Sequence, residues 1–267
     1  MSPDFETLLY EKKDGVAVIT LNRPQVLNAL NLQMNIDLKK AFNVAKEDGE
    51  VRAIILTGSG RGFCSGGDVK DFAAGAVVEV FKKLVEEGGE VESIISPYDL
   101  IEVEKPIIAA VNGVAVGFGM NVCLNCDIII ASEKASFGEF FVRMALIPDL
   151  NGSLLLPMLV GLNKAKELIL TGDRIDAKEA ERIGLVNKVV PADELMPTAM
   201  QLAKKLAEGP PLAIGKAKKL IHEGFRELFD EMLQKEFLYQ AQLMVSEDHR
   251  EAAMAFLEKR KPLFKGR

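Results

Sequence analysis

The chain alternates short, continuously apolar runs with stretches in which apolar residues recur every three or four positions. Continuous runs at 16–21, 51–56, 107–111 and 127–131 predict short strands buried on both faces, the first broken by Asn22, Arg23 and Pro24. After it, Leu32, Ile36, Leu38, Ala41, Phe42 and Ala45 fall at helical spacing behind Asn31, which predicts an N-capped helix through about Ala45. This alternation of buried strand and helix predicts an α/β protein with a parallel sheet. Residues 77–104 are helical in pattern but polar, interrupted by Gly88 and Gly89, and read as a mobile cover over a site. From Ala177 onward the pattern is mainly helical, apart from a short strand at 185–190; Pro210 and Pro211 end one helix and start another. The last helices are predicted at about 226–245 and 247–260. The first of these carries a wide apolar face (Leu233, Phe237, Leu238, Ala241, Met244 and Val245), suited to core packing, to a second subunit, or to both. No internal repeat is visible. The expected division is a core over residues 1–195 and a helical region over 196–267.

Composition narrows the function classes. A length of 267 residues at 48% hydrophobic is enough for a full core. The net charge of −6 argues against nucleic acid as a main partner, because phosphate binding needs a basic surface. The basic residues cluster only at 259–261 and 265–267. No apolar run reaches the ~18 residues of a membrane span, and Met1, Ser2, Pro3 and Asp4 do not resemble a secretory leader, so the expected compartment is the cytoplasm. Cys123 and Cys126 form a C-x-x-C in an apolar helical stretch with no second pair and no nearby histidine, which argues against a metal site. His222 and His249 are the only imidazoles, both in charged helical segments, and make a Ser-His-Asp triad a poor expectation.

The candidate chemistry lies in two glycine-rich turns, RGFCSGGD at 61–68 and NGVAVGFGMN at 112–121, each after a strand pattern and opening toward a helix. Gly66 and Gly67 let the backbone pass without side chains, and Asp68 is suited to cap the next helix. In the second turn Gly113, Gly117 and Gly119 precede a helix whose first N–H groups lack internal partners. Two such donors converging on one carbonyl oxygen make an oxyanion hole. Cys64 lies beside the first turn; with no base in sight it reads as a small buried residue.

These turns, taken in order with LNRP (21–24), NAL (28–30), IILTG (54–58), KPIIAAVNG (105–113), CDIIIA (126–131), LTGDRI (170–175), AERIGLV (180–186) and FLEKRKP (256–262), resemble the crotonase (enoyl-CoA hydratase/isomerase) superfamily over nearly the whole chain. The resemblance implies a crotonase spiral of ββα units with a helical C-terminal trimerisation region, a homotrimer or homohexamer. It implies an acyl-CoA thioester as partner, with coenzyme A part of the substrate and no separate cofactor. Residue by residue, the oxyanion donors would be the N–H groups of Gly67 and Phe118, the latter departing from the usual glycine and requiring a negative φ there. Ser65, Gly66, Asp68 and Val69 would lie along coenzyme A, with Val26 and Leu27 as a second strip. Phe264 and the 259–261 run resemble the segment that reaches a neighbour's coenzyme A.

Hydratases of this family use two glutamates, and here Asn121 and Phe141 occupy their positions. Neither an amide nor a phenyl ring can take a proton from water, which argues against hydration by that route. Asp149, in IPDLNG at 147–152, aligns with an aspartate of the ring-1,2-epoxyphenylacetyl-CoA isomerase subgroup, which also shares FVR (141–143) and LLP (155–157). The resemblance makes Asp149 a proton carrier; alone, it reads as an N-cap for the helix from Gly152. Glu139 reads as a solvated loop acid and is the alternative base, Asn121 is suited to orient a substrate group or water, and Arg143 to pair with a local acid. The implied reaction is a proton or double-bond shift through a thioester enolate. Alternatives are another crotonase reaction (hydration, hydrolysis, decarboxylation) or a coenzyme A-thioester-binding protein without catalysis.

Overall fold

Asp14 and Gly15 both take left-handed backbone (φ 53° and 76°), the conformation of a two-residue hairpin turn, and fold Leu8–Lys13 (β1) back on Val16–Leu21 (β2). In this computed structural model, which describes residues 4–73 and 94–267, β2 opens a run of parallel pairings. Ala53–Gly58 (β3), Ile107–Val111 (β5), Ile128–Ser132 (β7) and Lys188–Val190 (β10) follow in the order β1-β2-β3-β5-β7-β10. The strands expected at 51–56, 127–131 and 185–190 begin one to three residues later than their apolar runs.

A second sheet was not legible in the sequence. Gly62–Cys64 (β4), Val114–Val116 (β6), Ser136–Gly138 (β8) and Arg174–Asp176 (β9) pair in the order β4-β6-β8-β9, with β4, β6 and β8 parallel and β9 antiparallel. Each of β3, β5 and β7 is followed within four residues by its short partner, so the chain repeats long strand, short strand, then turn. The second glycine turn, expected as one turn into a helix, therefore contains the strand β6. The repeat is structural, since three-residue strands leave no periodicity to read.

Helices cover both faces of the main sheet. Helix α1 (Leu32–Glu47) is capped by Asn31, whose Oδ1 accepts the Met34 N–H at 2.9 Å, and buries Met34, Leu38, Ala41, Phe42 and Ala45 in the main core. Helix α8 (Leu195–Ala207) covers the other face, packing Leu195, Ala199 and Ala203 on Val16, Ile55, Ile108 and Ile130. Between these lie α2 (Val69–Ala73), α3 (Tyr98–Ile101), α4 (Phe118–Leu124), α5 (Gly152–Val160), α6 (Leu162–Thr171) and α7 (Ala177–Arg182); α9 (Pro211–Glu223), α10 (Arg226–Met244) and α11 (Glu247–Leu257) close the chain. Most of the polar stretch expected to be helical at 77–104 lies outside the described residues, and within its described part helix occurs at Tyr98–Ile101.

The apolar face expected of α10 is only partly used within the chain. Its fully buried positions are Phe229, Glu236, Gln240 and Met244, while Leu238 and Val245 are exposed. The inward polar pair, Glu236 and Gln240, grips the loop at 147–153.

Candidate active site

The two glycine turns are pressed together. Their strands lie side by side through β4–β6 pairing, and a Cβ on Gly66 would sit 3.1 Å from the Val116 carbonyl oxygen and 4.0 Å from the Gly117 Cα. Gly113 and Gly119 close the gap further: a Cβ on either would fall 2.1 Å from Arg61 O or 2.3 Å from Cys64 O. Gly66 and Gly117 have φ of +90° and +54°, which glycine adopts without the strain a Cβ brings. Gly138 at the end of β8 accepts the Gly117 N–H at 2.9 Å and fixes the second turn against the third short strand.

Backbone donors remain where these turns meet. Leu30 brackets the first turn, donating to Gly66 O and accepting the Asp68 N–H, each at 2.8 Å. The Gly67 N–H between them has no hydrogen-bond partner among the described residues, and neither does the Phe118 N–H at the start of α4. Phe118 keeps a negative φ, as its expected role requires, and buries its ring in the core. Free N–H groups at the carboxyl ends of parallel strands form an electropositive cradle suited to an oxygen anion.

The strip expected along coenzyme A is physically joined to the first turn. Ser65 donates its N–H to Leu27 O at 3.0 Å and its Oγ–H to Val26 O at 3.2 Å. Leu27 and Asn28 are both left-handed (φ 53° and 56°), a strained bend stabilised by the buried Asn28 side chain. Asn28 accepts from Arg23 N–H and donates to Ser59 O and Gly62 O at 2.8–3.0 Å. Asp68 does cap locally, taking the Lys70 N–H at 3.2 Å, while its other oxygen pairs with Arg23 at 3.0 Å. Val69 follows as the first residue of α2, on which α11 packs. Phe264 is 45% exposed, on a C-terminal segment tied to α11 through Lys265 and Gly266 N–H groups on Asp248. Arg260 of the basic run is paired with Glu251 and Glu258.

On the other side of the turns lies a group of acids. Asn121, one helical turn into α4 and fully buried, donates from Nδ2 to the Asp149 carbonyl (2.9 Å) and to its carboxylate Oδ1 (3.2 Å). Asn125, one turn on, holds the Leu150 carbonyl at 2.8 Å. Asp149 is thus no helix cap: α5 starts after Asn151, whose own side chain makes no capping bond. Burial pushes the Asp149 carboxyl up to about 7 against the stabilising Asn121 bond. A Cβ on Gly152 would lie 2.5 Å from Asn121 Nδ2, so this glycine makes room for the contact.

Sequence reading missed what holds the loop. Glu236 of α10 accepts the Asn151 N–H at 2.7 Å and the Ser153 N–H at 2.8 Å, and Gln240 makes two 3.0 Å bonds with the Ile147 backbone. Burial raises Glu236 to about 7 as well. Glu236 and Gln240 stand four apart on one face of α10, but nothing in the helix sequence marks that face as buried.

Glu139 overturns its expectation. It is fully buried, and neither carboxylate oxygen has a partner among the described residues. Desolvation raises its pKa, and the nearby charges of Asp149 and Glu236 add to this. Phe141 is partly exposed, with its ring edge 3.7 Å from where a Gly117 Cβ would stand. Arg143 points away, pairing with Asp173 at 3.3 Å and stacking over Phe140. Burial pushes the Cys64 thiol to about 12, which keeps it unreactive.

Two mainly parallel sheets, free turn N–H groups at their carboxyl ends and a helical C-terminal region define an α/β protein of crotonase architecture. The family model of enoyl-CoA hydratase/isomerase matches residues 11–267. A probable enoyl-CoA hydratase of Rhodobacter capsulatus is 40% identical, covering 98% of this chain and 99% of its own. The 1,2-epoxyphenylacetyl-CoA isomerase of Escherichia coli is 38% identical over 98% and 99%. Among solved structures, an enoyl-CoA hydratase/isomerase from Pseudoalteromonas atlantica superposes with a TM-score of 0.87 at 33% identity, covering 97% of this chain and all of that one. The chain belongs to the enoyl-CoA hydratase/isomerase family, whose members act on acyl-CoA thioesters. Among the described residues no helix is long and apolar enough to cross a membrane.

Proposed function

We propose that the protein is an isomerase of its family, moving a proton or double bond along an acyl-CoA thioester. The Gly67 and Phe118 N–H groups hold the thioester oxygen as it becomes an enolate oxygen. Val26, Leu27, Ser65, Gly66, Asp68 and Val69 lie along coenzyme A, Phe264 approaches it from a neighbouring subunit, and Asn121 and Phe141 border the acyl group. Asp149 takes the proton next to the thioester carbonyl. The chain works as a homotrimer or homohexamer in the cytoplasm, with coenzyme A arriving as part of the substrate and no further cofactor.

The observation that carries this reading is the Asn121–Asp149 pair, an amide where the hydratase route needs a carboxylate, holding a carboxyl poised at about 7. A carboxyl there changes protonation near neutral pH, which suits a group that takes up and releases a proton. The E. coli relative named an isomerase supports it, whereas the R. capsulatus relative's name favours hydration. The two are separated by giving the protein a 3-enoyl-CoA and, separately, a 2-enoyl-CoA. Growth of conjugated thioester absorbance from the first supports isomerisation. Rapid loss of that absorbance from the second, with no activity on the first, overturns it.

A further inference from the structure

The three short strands β4, β6 and β8 run parallel, so the residues that leave them emerge at one edge. From β4 come Ser65–Gly67, from β6 Gly117 and Phe118, and from β8, in register with Val116↔Gly138, comes Glu139. Glu139 is therefore the third exit beside the two oxyanion turns, one residue from the carbonyl that anchors Gly117. It ends a buried run, Phe137, Gly138 and Glu139, flanked by the partly exposed Ser136 and Phe140.

A fully buried carboxyl without any partner is costly, and such groups concentrate where a ligand completes them. Here they concentrate: Asn121 Oδ1, Asn125 Oδ1, Asn151 Oδ1 and both Glu139 oxygens are all buried and unpartnered among the described residues. Asp149 lies close enough for its charge to be felt at Glu139. Two carboxyls so close cannot both be ionised readily, and the more enclosed one holds a proton.

We infer that Glu139 is a second catalytic acid, which delivers to the far carbon the proton that completes the shift begun by Asp149. This rests on the enolate reading above. Asp149 removes a proton from C2 of a 3-enoyl-CoA, leaving the bonding pair in a dienolate held by Gly67 and Phe118. C4 then forms a bond to the Glu139 proton, whose O–H pair stays on the carboxylate oxygen. Asp149, now protonated, returns its proton to Glu139 directly or through a water, so charge and protons balance after each turnover. One carboxyl can in principle do both tasks, but it must then travel between carbons, whereas two fixed groups need no such motion.

The test uses Glu139→Gln, which keeps size and a hydrogen-bond donor, alongside Glu139→Asp and the unchanged protein. In D2O, hydrogen exchange at C2 of a saturated acyl-CoA reads the Asp149 step alone, and conversion of a straight-chain 3-enoyl-CoA reads both steps. Binding of the saturated acyl-CoA checks that the site is formed. The expected result is Glu139→Gln exchange within about 3-fold of the unchanged protein and conversion reduced by about 100-fold or more, partly restored in Glu139→Asp. Conversion at the full rate in Glu139→Gln overturns the proposal, since Asp149 then acts alone. Loss of exchange, conversion and binding together also overturns it, showing a structural role. If the unchanged protein binds acyl-CoA yet neither exchanges nor converts, the enolate reading itself has failed.

Discussion

Asn121 holds Asp149 at two points, its Nδ2 lying 2.9 Å from the aspartate carbonyl and 3.2 Å from carboxylate Oδ1. The bond fixes the loop and also favours the ionised carboxylate. Asn121→Ala is expected to lose about 1–2 kcal/mol of stability, read by urea denaturation. It is also expected to raise the apparent pKa of activity above that of the unchanged protein. A lowered apparent pKa would contradict the role of the amide.

Stability should fall as pH rises toward neutrality. Asp149 and Glu236 both have folded pKa values of about 7, well above their ordinary 3.8 and 4.5, so the folded state binds more protons than the unfolded chain between those limits. Their contribution is complete below about pH 4 and is lost as pH climbs through 7. Thermal melts from pH 4.5 to 8 are expected to show this slope, reduced in an Asp149→Asn, Glu236→Gln double variant. An unchanged slope in that variant would assign the effect elsewhere. Activity moves the other way, rising with pH through about 7 as Asp149 ionises.

Gly152 is needed for space, since it has no left-handed backbone and a Cβ there would meet the Asn121 amide at 2.5–2.7 Å. Gly152→Ala is expected to cost about 1–3 kcal/mol and to reduce turnover by displacing Asn121 from Asp149. A folded variant with full turnover would show that the contact is dispensable.

Glu236 acts on the site through the loop, accepting two backbone N–H groups on either side of Gly152. Glu236→Ala leaves both donors unpaired, and a loss of about 2–3 kcal/mol is expected. In the fraction that folds, kcat should fall with little change in KM, because Glu236 holds the Asn151–Ser153 backbone and makes no bond to the Leu27–Ser65 strip proposed for coenzyme A. A pure KM effect would contradict this.

The legible parts of the fold were those with enough residues to show a period. The Ile107–Val111 strand was read to the residue, and Asn31 was recognised as a cap because side-chain chemistry marks a helix start. The short strands β4, β6 and β8 were invisible, three residues being too few for alternation, and with them went the geometry that brings Glu139 to the turns. The Phe-Gly-Glu-Phe context at 137–140 looked like a loop; only pairing of β8 with β6 buries it. The α10 face was counted from its leucines and phenylalanines, whereas packing chose Phe229, Glu236, Gln240 and Met244, at spacings of seven, four and four. The loop backbone needed acceptors, and that need cannot be seen in α10 alone. The close approach of the two turns was legible from their glycines, because a Cβ on Gly113 or Gly119 would fall 2–3 Å from the other turn's backbone, whereas Asp149 was singled out only by the family resemblance.

The most direct measurement is Asp149→Asn against the unchanged protein, with a 3-enoyl-CoA in D2O and acyl-CoA binding followed in parallel. If Asp149 carries the proton, the variant binds acyl-CoA as tightly as the unchanged protein, and both conversion and C2 deuterium uptake fall by about 100-fold or more. If Asp149→Asn exchanges and converts at the rate of the unchanged protein, the base lies elsewhere and the proposed mechanism is wrong.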